Sequence, residues 1–317
     1  METGSGSSRL HVVDLKFLGH ARRIAAGLVE TPAGTLIVDC GPTSCLPVLE
    51  RELDAMSLAG RDVHGILLTH VHLDHAGSAG TLVRRHPHLT VYVHERGAPH
   101  LVDPSKLVAS ATRVYGDRME RLWGEVAPVL QDRVRVVADR EVLTFGDAAF
   151  DVADTRGHAN HHLCFRDRRS GIVFAGDTGG IRLGPSPYVL PPTPPPDIDV
   201  PAWCASVGRL RAWEPAGIFI THYGIHRDAG AHLDALEQEL KAWVQLAGAL
   251  LKGEGEGSRL VSRFVAGVRA RIEAAVTPSE AALYREWILL EDCWAGLARH
   301  LRRSGRRREP GIVPSQP

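Results

Sequence analysis

The sequence predicts an α/β protein built as an αββα sandwich, with a helical extension at its C-terminal end. Three observations lead there. Strand-like and helix-like segments alternate up to residue 94, short strands separated by turns fill 134–175, and the last third carries apolar residues at helical spacing. Two sheets between outer helices accommodate that order.

The first sheet opens as a meander. Residues 10–17 and 24–30 are mostly apolar, and Thr31-Pro32-Ala33-Gly34 turns the chain into a third strand at 35–39. Leu46, Leu49, Leu53 and Met56 then recur at steps of three and four, with Pro47 in the first turn, which marks an amphipathic helix. The run Val63-His64-Gly65-Ile66-Leu67-Leu68 is almost continuously apolar, as a strand covered on both faces requires. A short helix to about residue 85 and a strand at 89–94 continue the layer. Residues 104–126 are helical by composition and are expected to form an insertion over the site.

Five β-like runs, at 134–138, 141–145, 148–153, 162–166 and 171–175, predict a second sheet made mostly of hairpins. Residues 185–201 hold eight prolines, which excludes helix or central strand and predicts an extended loop able to wall a pocket. A helix at 201–213 and a strand at 217–221 follow. Beyond them Leu233, Leu236, Leu240, Trp243 and Leu250 form one helical stripe, and Phe264, Val268, Ile272 and Val276 another, across the joint Gly253-Glu254-Gly255-Glu256-Gly257. Leu283, Trp287, Leu290, Trp294, Leu297 and Leu301 make a third. The predicted division is a disordered lead-in at 1–9, a catalytic domain at 10–230, a helical extension at 231–303 and a disordered basic tail at 304–317.

Composition narrows the classes. The 317 residues are 44% hydrophobic and 23% charged, and 37 basic side chains balance 37 acidic ones, so no broad nucleic-acid footprint is expected. No apolar run nears the roughly 18 residues that span a bilayer. Five cysteines without C-x-x-C spacing suggest a reducing, cytoplasmic setting. The expected partner is a small-molecule substrate, with part of the helical stripes available for a homodimer.

The densest chemical signal is Thr69-His70-Val71-His72-Leu73-Asp74-His75-Ala76-Gly77, at the C-terminal end of the buried strand. Three histidines and a carboxylate converge there as the pleat breaks into a turn, and that donor set suits Zn²⁺ or a similar divalent ion. Three further stretches also follow strand-like runs: Gly157-His158-Ala159-Asn160-His161-His162, Gly176-Asp177-Thr178-Gly179 and Thr221-His222-Tyr223-Gly224. Together they supply seven N/O ligands, enough for two ions sharing a carboxylate.

With these four stretches in order, residues 10–230 resemble the metallo-β-lactamase superfamily, whose signature H-x-H-x-D-H stands here as His70, His72, Asp74 and His75. The resemblance implies the αββα fold with a metal site at one edge. It further implies that His70, His72 and His158 hold one metal, that Asp74, His75 and His222 hold the other, and that Asp177 bridges them. His162, at a position often polar in this family, is expected to fix a ligand tautomer.

Two divalent ions, most readily Zn²⁺ with Fe or Mn as substitutes, would lower the pKa of a shared water from 15.7 to about 7. A metal-bridging hydroxide is therefore the expected nucleophile toward a carbonyl ester, lactone or thioester. Asp74 would orient the attack and accept a proton, and Tyr223 would donate to the oxyanion. Asp177 at the bridging position resembles the glyoxalase II, lactonase and nuclease branches rather than the β-lactamases with a cysteine ligand. Gly180-Ile181-Arg182-Leu183 replaces the expected glutathione contact, and Gly180 stands where lactonases carry a tyrosine, for which Tyr188 or Tyr223 could substitute. The alternatives are a mononuclear iron persulfide dioxygenase, a phosphodiesterase of the same fold, and a non-catalytic binding module.

Overall fold

The computed structural model describes residues 9–58, 62–253 and 257–306. Most of the predicted lead-in, most of the basic tail and the centre of the glycine-rich joint lie outside the described residues.

The first sheet has six strands in sequential order. β1 (Leu10–Asp14), β2 (Ala25–Thr31) and β3 (Gly34–Val38) pair antiparallel, β2 and β3 around the predicted turn. Helix α1 (Leu46–Ala55) buries Leu46, Leu49 and Leu53 and returns the chain to β4 (Val63–Leu67), which runs parallel to β3. The signature stretch follows at once: α2 (Leu73–Ala76) carries Asp74 and His75, and α3 (Ala79–Arg85) leads to β5 (Thr90–His94). Helices α4 (Ala98–Val102), α5 (Ser105–Tyr115) and α6 (Met119–Trp123) then cover residues 98–123 and deliver the chain to β6 (Val134–Val137).

Strand β6 corrects one expectation. It pairs parallel with β5, from Val91 against Val134 to His94 against Val137, and so closes the first sheet instead of opening the second. The intervening helices make the crossover that a parallel neighbour needs. The second sheet therefore comprises β7 (Val142–Phe145), β8 (Ala148–Asp154), β9 (Leu163–Asp167) and β10 (Ile172–Phe174) in antiparallel succession. After α7 (Val200–Ala212), β11 (Gly217–Ile220) pairs parallel with β10, and β12 (Gly224–His226) adds an edge strand that the sequence reading does not anticipate.

Between the sheets lies a core that includes Leu36, Leu67, Phe150, Phe165, Phe174 and Phe219. The two outer faces are covered by helices, which completes the αββα sandwich. Helices α8 (Ala229–Lys252), α9 (Ser258–Ala275), α10 (Pro278–Trp287) and α11 (Leu290–Arg306) form the extension. Its stripes are not a separate core. Leu233, Leu236, Leu240, Trp243, Phe264, Val268 and Leu297 belong to the same buried cluster as Val173, Ile218 and Trp203. Each buried leucine contributes about 1.5–3 kcal/mol, so the extension and the second sheet stabilise each other. Among the described residues no helix is long and apolar enough to cross a membrane, and all five cysteines are free.

Two contacts fix the extension against the proline-rich loop. Thr277 caps α10 in a reciprocal box with Glu280, whose carboxylate also accepts from the Ser186 amide at 2.9 Å and hydroxyl at 2.8 Å. On α11, Gly296 is pressed so close to the loop that an added Cβ would lie 2.0 Å from the Thr193 carbonyl oxygen. Backbone occupies that space and cannot rotate away. Gly296→Ala is therefore expected to destabilise the protein by about 1–3 kcal/mol, read as a lowered thermal midpoint; an unchanged midpoint would contradict this packing.

Candidate metal centre

All four ligand-bearing stretches meet where β3, β4, β8, β10 and β11 end. Each strand terminates in a turn, and the turns aim their polar side chains at one another across the sandwich edge. His70, His72, His158 and Asp177 form one group of mutually close donor atoms, and Asp74, His75 and His222 form a second. The seven residues singled out as ligands are thus brought together, five of them as fully buried as any core leucine.

Hydrogen bonds at the far side of each ring decide which nitrogen points inward. Asp39 Oδ2 accepts from His75 Nδ1 at 2.8 Å, Pro192 O accepts from His158 Nδ1 at 2.9 Å, and Arg23 O accepts from His222 Nδ1 at 2.8 Å. The Thr69 hydroxyl donates to Asp39 at 2.8 Å and so accepts from His70 Nδ1 at 3.1 Å. In the neutral form of all four histidines these bonds leave the Nε2 lone pair for the centre. His72 faces inward through Nδ1 instead, 2.9 Å from His70 Nε2 and 3.1 Å from His158 Nε2.

Asp177 stands between the groups. Its Oδ2 is 3.4 Å from His158 Nε2, while Oδ1 is 3.2 Å from His75 Nε2 and 3.5 Å from His222 Nε2. Neither His75 Nε2 nor Asp177 Oδ1 completes a hydrogen bond, although both are buried. Buried polar atoms of that kind are costly unless something between them takes their lone pairs, as a cation does. Asp74, with its side chain 22% exposed, lies 3.3 Å from His222 Nε2 through Oδ2 and is the member of the second group open to the cleft.

The electrostatics agree with a cation site. Burial and the neighbouring rings hold His72 down to about 4 and His70 well below its ordinary value, so both are neutral donors at pH 7. Burial opposes protonation of His75 as well, yet Asp177, Asp74 and Asp39 outweigh it and raise its pKa well above the ordinary value. Burial would raise the Asp74 carboxyl, but His75 and His222 hold it down to about 2. The second group is rich in negative charge and favours positive charge at its centre.

Sequence reading missed Asp39. It is completely buried and accepts four hydrogen bonds: from the Thr69 amide (2.8 Å) and hydroxyl, from His75 Nδ1, and from the Thr221 hydroxyl (2.7 Å). It therefore ties the ends of β3, β4 and β11 to one ligand. The only local signal was a carboxylate ending an apolar strand before Cys40-Gly41-Pro42, which reads as an ordinary turn. Gly176 is a second silent requirement. Its φ is +44°, and a Cβ there would lie 2.4 Å from Thr69 Oγ1.

Two predicted roles move. His162 touches no ligand nitrogen through a hydrogen bond. It donates from Nδ1 to Thr155 Oγ1 at 3.0 Å, accepts at Nε2 from the Thr178 amide at 3.3 Å, and stacks on His70 with centroids 4.9 Å apart. It holds the backbone beside Asp177. Tyr223 is turned away from the converging donors: Arg22 lies 4.5 Å over its ring, and Asp14 is the carboxylate beside its hydroxyl. The proline-rich loop reaches the centre through the Pro192 carbonyl, while Tyr115 of α5 packs on Trp123 with ring centroids 5.2 Å apart. Trp287 of α10 lies 6.1 Å from His222, with Phe17 5.1 Å beyond it.

A model of the Metallo-beta-lactamase superfamily matches residues 21–240, about two thirds of the chain. This protein belongs to that superfamily. Among curated proteins, the metallo-beta-lactamase fold-containing protein ST1585 of Sulfurisphaera tokodaii is 28% identical over 209 residues, 64% of this chain and 77% of its own. The solved structure of ST1585 matches with a TM-score of 0.62 at 21% identity, covering 91% of this chain and 97% of that one, so the fold likeness reaches into the helical extension. A probable hydroxyacylglutathione hydrolase of Schizosaccharomyces pombe is 24% identical over 153 residues, 47% of this chain and 45% of its own. TTHA1623, solved in a di-iron-bound form, is 28% identical with a TM-score of 0.52, covering 67% of this chain and 93% of that one.

Proposed function

We propose that this superfamily member is a dinuclear metal-dependent hydrolase of a carbonyl ester, lactone or thioester. The observation that carries the reading is Asp177, whose two carboxylate oxygens face different donor groups, Oδ2 toward His158 and Oδ1 toward His75 and His222. His70, His72 and His158 would hold one ion and Asp74, His75 and His222 the other. Such ions supply an acidified water and polarise the substrate carbonyl. The di-iron form of TTHA1623 supports two ions in a relative and leaves iron beside zinc as the native metal.

The chain's own groups do the rest. Asp74 Oδ2 sits at the open side of the cleft and would accept a proton there, held ionised by the histidines beside it. Trp287, backed by the buried Phe17, is the aromatic surface beside His222, which would suit a hydrophobic acyl group. The oxyanion role considered for Tyr223 has no support from its placement.

The branch comparison narrows further. Arg182, near the expected glutathione contact, is buried and engaged with Asp228 at 2.9 and 3.0 Å. Gly180 has no room for a lactonase-type tyrosine, since a Cβ would lie 2.7 Å from Val189 and 2.8 Å from Leu236. Tyr188 cannot substitute, being packed at 5.6 Å against Tyr284 within the helical core. An ester or thioester other than a glutathione thioester fits these residues best.

Anaerobically purified protein is expected to carry close to two metals per chain and to cleave an aryl ester or acyl thioester faster than a bis-aryl phosphate. Chelation should abolish turnover and lower the thermal midpoint, and metal restored at 100 times its Kd should return about 2.7 kcal/mol. One iron per chain, with oxygen consumed alongside a persulfide and no hydrolysis, would replace this reading by the dioxygenase.

A further inference from the structure

Beside the metal centre opens a cavity of about 500 Å³, within the range of small-molecule sites. Its position follows from the ligand loop. Gly157 and Asn160, which flank His158, form one wall, and the start of α7 with the end of the proline-rich loop forms another. The third wall is α11, seated on that loop at Gly296 and presenting Arg299 and Arg303 one helical turn apart.

The lining is positively charged. Arg96, Arg156, Arg299 and Arg303 face it against two carboxylates, Asp197 and Asp199, which leaves a surplus of two positive charges before His300 is considered. The carboxylates are already engaged: Asp199 accepts from the Ala202 amide at 3.1 Å, and Asp197 from the Asn160 amide at 3.4 Å. Arg156 is held by Asp154 through contacts of 2.6 to 3.0 Å. Among the described residues no carboxylate pairs with Arg96, Arg299 or Arg303. Guanidinium groups grouped this way around a cavity are suited to bidentate recognition of phosphate oxygens.

His161 follows the wall residue Asn160 in the chain and packs beside the candidate ligand rings. Its ring is 5.8 Å from His72 and 6.1 Å from His70, it is only 8% exposed, and its Nδ1 has no hydrogen-bond partner. A substrate with its charged end among the arginines would approach the centre along the His158 stretch, whose Gly157 and Asn160 belong to the cavity wall.

We propose that the cavity binds a doubly charged phosphate or diphosphate carried on the leaving group, making the substrate an acyl thioester or ester of a nucleotide-like carrier. This deepens the hydrolase reading and rests on it for the acyl end alone. The hydrophobic wall at Trp287 and the arginine cavity would then take the two ends of one amphiphilic molecule.

The test uses the holoenzyme, with ADP as the calorimetric probe and two thioesters of the same acyl group, one on coenzyme A and one on neutral N-acetylcysteamine. Arg299 and Arg303 are on the exposed face of α11, so Arg299→Ala/Arg303→Ala should fold; Arg299→Lys/Arg303→Lys preserves charge while removing the fork. The alanine pair is expected to weaken ADP at least about tenfold and to cut the preference for the coenzyme A thioester by a similar factor, with the lysine pair intermediate. Equal ADP affinity in wild type and alanine pair would place the anion at the metals and overturn the proposal. Loss of ADP binding in the variant, with neither thioester nor an aryl ester or lactone cleaved by the wild-type holoenzyme, would uphold the cavity and refute the hydrolase reading.

Discussion

Asp177→Ala is expected to leave no more than one tightly held metal per chain and to reduce turnover below about one-thousandth of wild type. The reason is geometric. Among the described residues Asp177 is the one carboxylate whose oxygens reach both donor groups, and it sits among His75, His158 and His222. Burial alone would raise its pKa, yet these three rings hold it well below the ordinary carboxylate value. Its removal takes away the negative charge that two cations would share. Metal analysis of the purified variant with single-turnover assays measures both parts. Two metals retained, with turnover within tenfold of wild type, would exclude the bridging role.

Asp39→Ala is expected to have the largest effect on stability. Its carboxylate is the common acceptor for the Thr69 amide, two threonine hydroxyls and the His75 ring, all at 2.7–2.8 Å and all buried. Removing it strands four donors without water to replace it, a loss of about 3–5 kcal/mol. The thermal midpoint should fall by roughly 5–15 °C. Metal affinity should fall about 10- to 100-fold, because His75 loses the bond that fixes its tautomer. Calorimetric melting and metal titration read these separately. A midpoint within 2 °C of wild type would show that Asp39 is not the tie between the strand ends.

Much of the site was legible in the sequence because metal ligands are short, polar and closely spaced. His70, His72, Asp74 and His75 sit within six positions after a strand, and each later candidate also follows a strand. Backbone geometry at a strand end suffices to predict that such residues leave the pleat, so the ligand types could be read locally. The groups that orient them could not. Arg23 and Pro192 act through carbonyl oxygens, which every residue carries, and no residue-type pattern marks a carbonyl that will meet a histidine 34 or 199 positions away.

The same division runs through the fold. Apolar periodicity by itself determined most of the strands and helices, because alternation and helical spacing are properties of neighbouring residues. It did not determine which sheet receives residues 134–137, since a strand's partner depends on where the crossover through residues 98–123 sets it down. Trp287 illustrates the limit most clearly. Its spacing with Leu283 and Leu290 marks a buried stripe, and it does pack against buried residues. Only the docking of α10 against the segment between β1 and β2, where Arg23 donates to the Leu283 carbonyl and to Glu286, brings that apolar surface beside His222, because a side chain's neighbours across the chain are set by packing and not by its own spacing.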